Sequence, residues 1–252
     1  MGTSIGDFFL VSNSVENITD EDYKKVGLLV NAAKAFARST YQCVYIIDYF
    51  KQGFVYVSEN LAMLCGQPAD KIREFGYDLY IKHVPEKELD MLKEINKKGF
   101  DLFESIPIKE RSDYSIQYDF HLMNERKAHL VHHTLTPLAL TPGGRMWLAL
   151  CTISMSSRNL PGHIVMKKEG RKNYFEYDLQ RHKWVEREGI ILSEMERNVL
   201  WLSTQGYTMA DIADKLCKSI DTIKACKRSL FARLGAKNIA EALYHAVNYR
   251  LL

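Results

Sequence analysis

Cysteine is scarce and follows no pattern. Cys43, Cys65, Cys151, Cys217 and Cys226 are odd in number, far apart and free of any C-x-x-C spacing, which excludes a disulfide framework or a zinc motif as the organising device. Long apolar runs are lacking too. The longest, Met146 to Ile153, is eight residues with Thr152 inside it, far short of the roughly 20 needed to cross a bilayer. No basic segment leads an apolar one at the N-terminus, so no export signal is expected, and the chain reads as a cytoplasmic protein without a membrane partner. There is no Gly-rich phosphate loop, and no nucleophile, base and orienting group fall into a recognisable set. An enzyme is therefore not expected.

What remains is an ordinary globular composition, 46% hydrophobic and 26% charged over 252 residues, long enough for about two domains. Charge divides unevenly along it. Residues 1–157 hold 17 Lys and Arg against 20 Asp and Glu, whereas residues 158–252 hold 17 against 11, net +6. A basic C-terminal part suits a polyanion partner.

After an aperiodic opening from Met1 to Ile18, Thr19-Asp20-Glu21-Asp22 offers a capping box that starts a helix. Its stripe of Tyr23, Val26, Val30, Ala33 and Ala37, with Leu29 and Phe36 beside it, can pack within the chain or against a second copy. Strands follow at Cys43 to Ile47 and Gly53 to Val57, then helices at Glu59 to Cys65, Pro68 to Phe75 and Pro85 to Lys98, with Gly99 as the stop. From Tyr114 to Leu122 alternation is unbroken: Tyr114, Ile116, Tyr118, Phe120 and Leu122 face a core, and Ser115, Gln117, Asp119 and His121 face water. Two more strands, Ala128 to Leu140 and Arg145 to Ser154, turn at Thr141-Pro142-Gly143-Gly144.

That order, with Tyr56-Val57-Ser58-Glu59-Asn60, Leu64-Cys65-Gly66 and His83-Val84-Pro85-Glu86, resembles a PAS domain over roughly Tyr41 to Ser157. The resemblance implies a five-stranded antiparallel sheet with helices on one face, often enclosing a ligand pocket and often pairing with a second copy. Residues 158–190 then read as a β-meander connector, with strands at His163 to Met166, Asn173 to Tyr177 and Lys183 to Glu186.

From Leu192 four helices are expected, at 194–205, 209–217, 220–234 and 239–250. Ser193 with Glu196, Thr208 with Asp211, Ser219, and Asn238 with Glu241 supply the starts, while Gly206 and Gly235 close the first and third. The second and third helices have the dimensions of a helix-turn-helix. On the third, Ile223, Leu230 and Leu234 form an apolar sector, and Lys224, Ala225, Arg228, Ser229 and Ala232 lie opposite. Long cations and small residues together suit a helix that enters a major groove.

The run Leu192-Ser193, Glu196, Val199-Leu200, Gly206-Tyr207-Thr208, Asp211-Ile212-Ala213, Leu216, Ser219, Thr222-Ile223-Lys224 and Leu234-Gly235 resembles a LuxR-type DNA-binding domain. The resemblance implies that Lys224, Ala225 and Arg228 face base edges and that Ser219, Thr222, Lys227 and Lys237 lie near phosphates. Cys226 and Met195 depart from the residues usual at their positions.

The expected organisation is α+β: an N-terminal segment and helix (1–40), a PAS-like sensor (41–157), the connector (158–190), and an all-α four-helix helix-turn-helix domain (191–252). The function expected is transcription regulation by a homodimer on double-stranded DNA, with an unidentified small-molecule effector or protein partner at the PAS-like domain and no evident cofactor. The alternatives are a scaffold that binds another protein through the PAS-like domain, and a haem sensor with His83 or another histidine as ligand. A metal at His129, His132 and His133 is not expected, because alternation sends His132 to the opposite face.

Overall fold

The computed structural model describes residues 4–40, 42–124, 127–248 and 251. Its contacts divide the chain into two units, Met1–Arg187 and Glu188–Leu252. Among the described residues no helix is long and apolar enough to cross a membrane.

The N-terminal unit carries α1 (Asp20–Thr40), β1 (Cys43–Asp48), β2 (Gly53–Val57), α2 (Glu59–Cys65), α3 (Ala69–Phe75), α4 (Asp78–His83), α5 (Glu86–Ser105), β3 (Tyr114–Met123), β4 (Ala128–Leu140) and β5 (Met146–Met155). It continues through β6 (Gly162–Lys168), β7 (Tyr174–Asp178) and β8 (Lys183–Arg187). The strands form one sheet in the order β2-β1-β5-β4-β3-β6-β7-β8, antiparallel throughout. The sheet thus has eight strands where five were expected. β4 occupies only one edge of β3, and the open edge takes β6 through Ile116 opposite Met166. The three strands expected as a connector therefore extend the sheet.

The capping box of α1 forms as read, with the Thr19 N–H donating to Asp22 at 3.0 Å. Val26, Ala33 and Ala37 turn into the unit's core, whereas Leu28 and Phe36 stay exposed. The opening segment is held down as well: Phe8 is buried against Tyr77 and Tyr80, and its carbonyl accepts from Asn96 of α5 at 2.8 Å. The six-residue α4, between two expected helices, has too short a run to show a period.

Gly99 does not stop α5, which runs on to Ser105 and ends before Pro107. A β-carbon at Gly99 would lie 3.0 Å from Ile116 Cδ1, so this glycine serves close helix-to-sheet approach rather than termination. The alternation of β3 is real, yet its wet face is wrong at one position. Asp119 is fully buried.

The C-terminal unit holds α6 (Glu194–Thr204), α7 (Met209–Lys215), α8 (Ile220–Leu234) and α9 (Ile239–Asn248); positions 249 and 250 of the expected fourth helix lie outside the described residues. α7 ends two residues early because Cys217 takes the left-handed conformation, φ +52°. Three helices here close alike. Tyr207 N–H donates to Leu202 O at 3.2 Å, Lys218 N–H to Ala213 O at 2.9 Å and Ala236 N–H to Phe231 O at 2.9 Å, the six-to-one bond of a Schellman cap. Gly206, Cys217 and Gly235 take its left-handed position.

Candidate nucleic-acid interface

Two small cores hold the C-terminal helices. Leu192, Leu200, Leu230, Leu234, Ala242 and Ala246 form one, and Val199, Ile212, Ala213 and Ile223 the other. α8 contributes Ile223, Leu230 and Leu234 to them, all three at the same angular sector of the helix. Rigid packing on that side fixes which side chains are turned away. Lys224, Ala225, Arg228, Ser229 and Ala232 are all exposed, so the expected face exists as a continuous surface. Lys227 is half-buried, its ammonium 5.7 Å from the Phe231 ring centroid.

The start of α8 is capped by Ser219, whose hydroxyl accepts the Thr222 N–H at 3.1 Å and pairs with the Thr222 hydroxyl at 2.8 Å. Two of the four residues expected near phosphates therefore sit at the positive end of a 15-residue helix, where an anion is favoured. Asp221 stands in the same turn, 3.5 Å from Lys224; both side chains are exposed, and such a pair holds the lysine only weakly. Lys237 is exposed at the foot of α9.

The two departures have a common explanation. Met195 and Cys226 both pack onto the core of Val199, Ile212, Ala213 and Ile223. Burial pushes the Cys226 thiol above its ordinary pKa, which keeps it an inert packing group at neutral pH.

Sequence reasoning missed one pair that braces this frame. The Glu196 carboxylate accepts from the Ser193 N–H at 2.8 Å and Ser193 Oγ at 3.0 Å and is paired with Arg233. Arg233 also donates to the Ile191 carbonyl at 2.7 Å, tying the entry segment and α6 to the end of α8. Burial pushes Glu196 upward, but the Ser193 N–H and then Arg233 outweigh it and hold the carboxyl below its ordinary value. The cap half of this was legible from spacing; Arg233, 37 residues away, gave no local signal.

In the N-terminal unit the register of the sheet assembles a second polar group. Tyr118 lies opposite His133, and Tyr45 and Leu135 both pair with Cys151, so these side chains share one face. Tyr45 Oη bonds to His133 Nε2 at 2.7 Å and to Tyr80 Oη at 2.6 Å, all buried. His133 Nδ1 is buried with no partner. Burial, then neighbouring His132, pushes its pKa down to about 3, so the imidazole is neutral. Beside Tyr118 an apolar cavity of about 40 Å³ opens between α5 and the sheet, lined by Ile95, Phe100, Phe103, Leu135 and Met166 among others. Neighbouring His132 has another duty, donating to Asp119 at 2.9 Å. His83, a ligand candidate in the alternative haem reading, has Nδ1 on the Met123 carbonyl at 2.7 Å.

Residues 190–246 match a family model described as bacterial regulatory proteins, luxR family. The C-terminal unit is a LuxR-family helix-turn-helix domain. Over 62 residues the chain is 37% identical to the oxygen regulatory protein NreC of Staphylococcus aureus, covering 25% of this chain and 29% of that one. It spans under a third of that relative's length. Among solved structures, the phage VqmA-DPO complex shows 16% identity over 91% of this chain and 92% of its own, with a TM-score of 0.32. The Vibrio cholerae VqmA dimer in the absence of target DNA shows 17% over 92% and 88%, also at 0.32. Likeness at that level does not define a shared activity.

Proposed function

We propose that this protein is a sequence-specific transcriptional regulator that binds duplex DNA as a homodimer and is controlled by a small molecule in its N-terminal, PAS-like unit. The observation that carries the DNA reading is α8 itself. One side is anchored in two cores, both ends are capped, and the exposed side presents Lys224, Ala225 and Arg228 together. The two alanine positions, Ala225 and Ala232, let the backbone come close, while Lys224 and Arg228 are long enough to reach base edges. Ser219, Thr222, Lys227 and Lys237 supply the phosphate contacts that set register and make affinity fall with salt. In a dimer two such helices meet half-sites about one turn apart.

The effector reading is supported by the unpartnered His133 Nδ1 at the end of a buried Tyr80, Tyr45, His133 chain and by the cavity under α5. A small ligand filling that apolar space would lie against Tyr118, whose cross-strand neighbour is His133.

The test is selection from random duplexes with the full chain, repeated with two variants. Arg228→Ala relaxes base preference at one position of the half-site, by about 1–3 kcal/mol. Lys227→Ala weakens binding evenly and lowers the salt slope by about 1. Equal losses on every sequence from both variants would refute these roles.

A further inference from the structure

The basic surplus of the chain is not where the helix-turn-helix is. Residues 188–252 hold nine Lys and Arg against seven Asp and Glu, whereas residues 158–187 hold eight against four. Half of the positive excess assigned to the C-terminal part, seven Lys and Arg against four Asp and Glu, therefore lies on β6, β7, β8 and their turns. We propose that the β6–β7 turn with strand β8 is a second polyanion contact, gripping the sugar-phosphate backbone of the duplex that flanks the site read by α8. This rests on α8 reading duplex DNA.

The turn gathers Lys167, Lys168, Arg171 and Lys172 within six positions. Gly170 turns it with φ +72° and open space around it, and Arg171, Lys172 and Asn173 are exposed. Behind them is a recess of about 200 Å³ whose lining includes Lys168, Arg171, Lys172 and Asn173, with Glu186 as its acidic member. Local acids neutralise part of the charge: Lys168 pairs with Glu110 at 2.7 Å, and Arg187 with Glu176 at 2.8 Å. Over residues 162–187 the seven cations face four acids of their own and Glu110 from outside, which leaves a net excess of two.

β8 is the edge strand, with Lys183 and Arg187 exposed along it. An edge bearing cations resists pairing with another sheet and stays open to phosphate. Flexible cations on a turn have no fixed geometry for reading base edges, so the contact expected is with phosphates. Six residues, 188–193, link Arg187 to α6. So short a tether makes any second contact intramolecular once α8 has bound, and a weak surface then counts.

The experiment uses the full chain and its Arg171→Gln, Lys172→Gln double variant, both at exposed positions. Affinity for the selected site is measured against salt, on a duplex trimmed to the site and on one extended well beyond it. On the long duplex the variant's log–log salt slope is expected to fall by about 1 to 2, near 0.9 for each phosphate no longer neutralised, with base preference unchanged. On the trimmed duplex the two proteins should coincide. Matching slopes on the long duplex, with normal binding by the parent, would overturn this inference and leave α8 untouched. A parent that binds no duplex sinks the DNA reading and this one with it. A loss of retention seen on phosphatidylserine vesicles and not on DNA would make the partner a membrane surface and overturn it as well.

Discussion

The two units place their polar residues in opposite ways. In the C-terminal unit the cores are apolar apart from Glu196 and His245, and the chemistry lies on the exposed side of α8. In the N-terminal unit Asp48, Asp119, His133 and Glu88 are buried, and the candidate ligand cavity is an apolar one under α5. Reading DNA needs a rigid helix with reachable cations, whereas recognising a small molecule needs buried groups that are left partly unsatisfied. The difference predicts where each unit is fragile.

The largest effect should come from Asp119. His132 donates to one carboxylate oxygen at 2.9 Å, and Arg158 Nε stands 3.6 Å from the other. The carboxylate itself is fully buried while both partners reach partly toward solvent, so removing it strands two donors at the edge of the core. Asp119→Ala should cost the N-terminal unit about 2–4 kcal/mol. Urea unfolding in a Trp201→Phe background checks it, because Trp147 and Trp184 then report that unit alone. A loss under about 1 kcal/mol would mean that solvent screens the pair more than its burial implies.

Asp119 also marks the boundary of what sequence can carry. Signals three residues apart were legible: Thr19 with Asp22, Ser193 with Glu196 and Thr208 with Asp211 all form the reciprocal bonds expected of them. Local periodicity likewise located the exposed face of α8. Alternation assigned Asp119 to the correct face of β3, but whether a face is covered depends on chain elsewhere, here Arg158. The same limit hid the membership of β6, β7 and β8 in the sheet, since β6 pairs with a strand some fifty residues earlier. Gly99 had a local reading, a helix stop, that lost to a distant contact with Ile116.

Acid should separate the units next. His133 is neutral when folded, with its pKa pushed down to about 3 from 6.5. As pH falls below 6.5 the unfolded chain takes up a proton that the folded one refuses, so stability is lost from there downward. Glu196 has its folded pKa lowered from 4.5; its contribution is whole above that value and lost only as pH falls through the lower folded one. The N-terminal unit should therefore weaken first, with about 1 kcal/mol lost through His133 by pH 5.5. Unfolding midpoints at pH 7.5 and 5.5 for the parent and His133→Phe test it. Equal changes in the two proteins would show that the folded imidazole is not shielded from protons.

The smallest effect sharpens the comparison from the other side, because it is confined to one backbone position of the C-terminal unit. Cys217 holds the left-handed slot that glycine fills at the ends of α6 and α8, with φ +52° against +86° at Gly206 and +66° at Gly235. A β-carbon there crowds the following carbonyl. Glycine removes that crowding but loses more freedom on folding, leaving a net gain of about 0.5–1 kcal/mol for Cys217→Gly. Cys217→Ala keeps the β-carbon and should gain nothing, and Gly235→Ala should lose a similar amount. The thermal midpoint of the unit, followed through Trp201, reads all three. If Cys217→Gly and Cys217→Ala move it alike, the thiol rather than the backbone is the cause. If only glycine raises it while salt-dependent DNA binding is unchanged, the turn between α7 and α8 is a scaffold that sets the geometry of the reading face of α8 without altering its affinity.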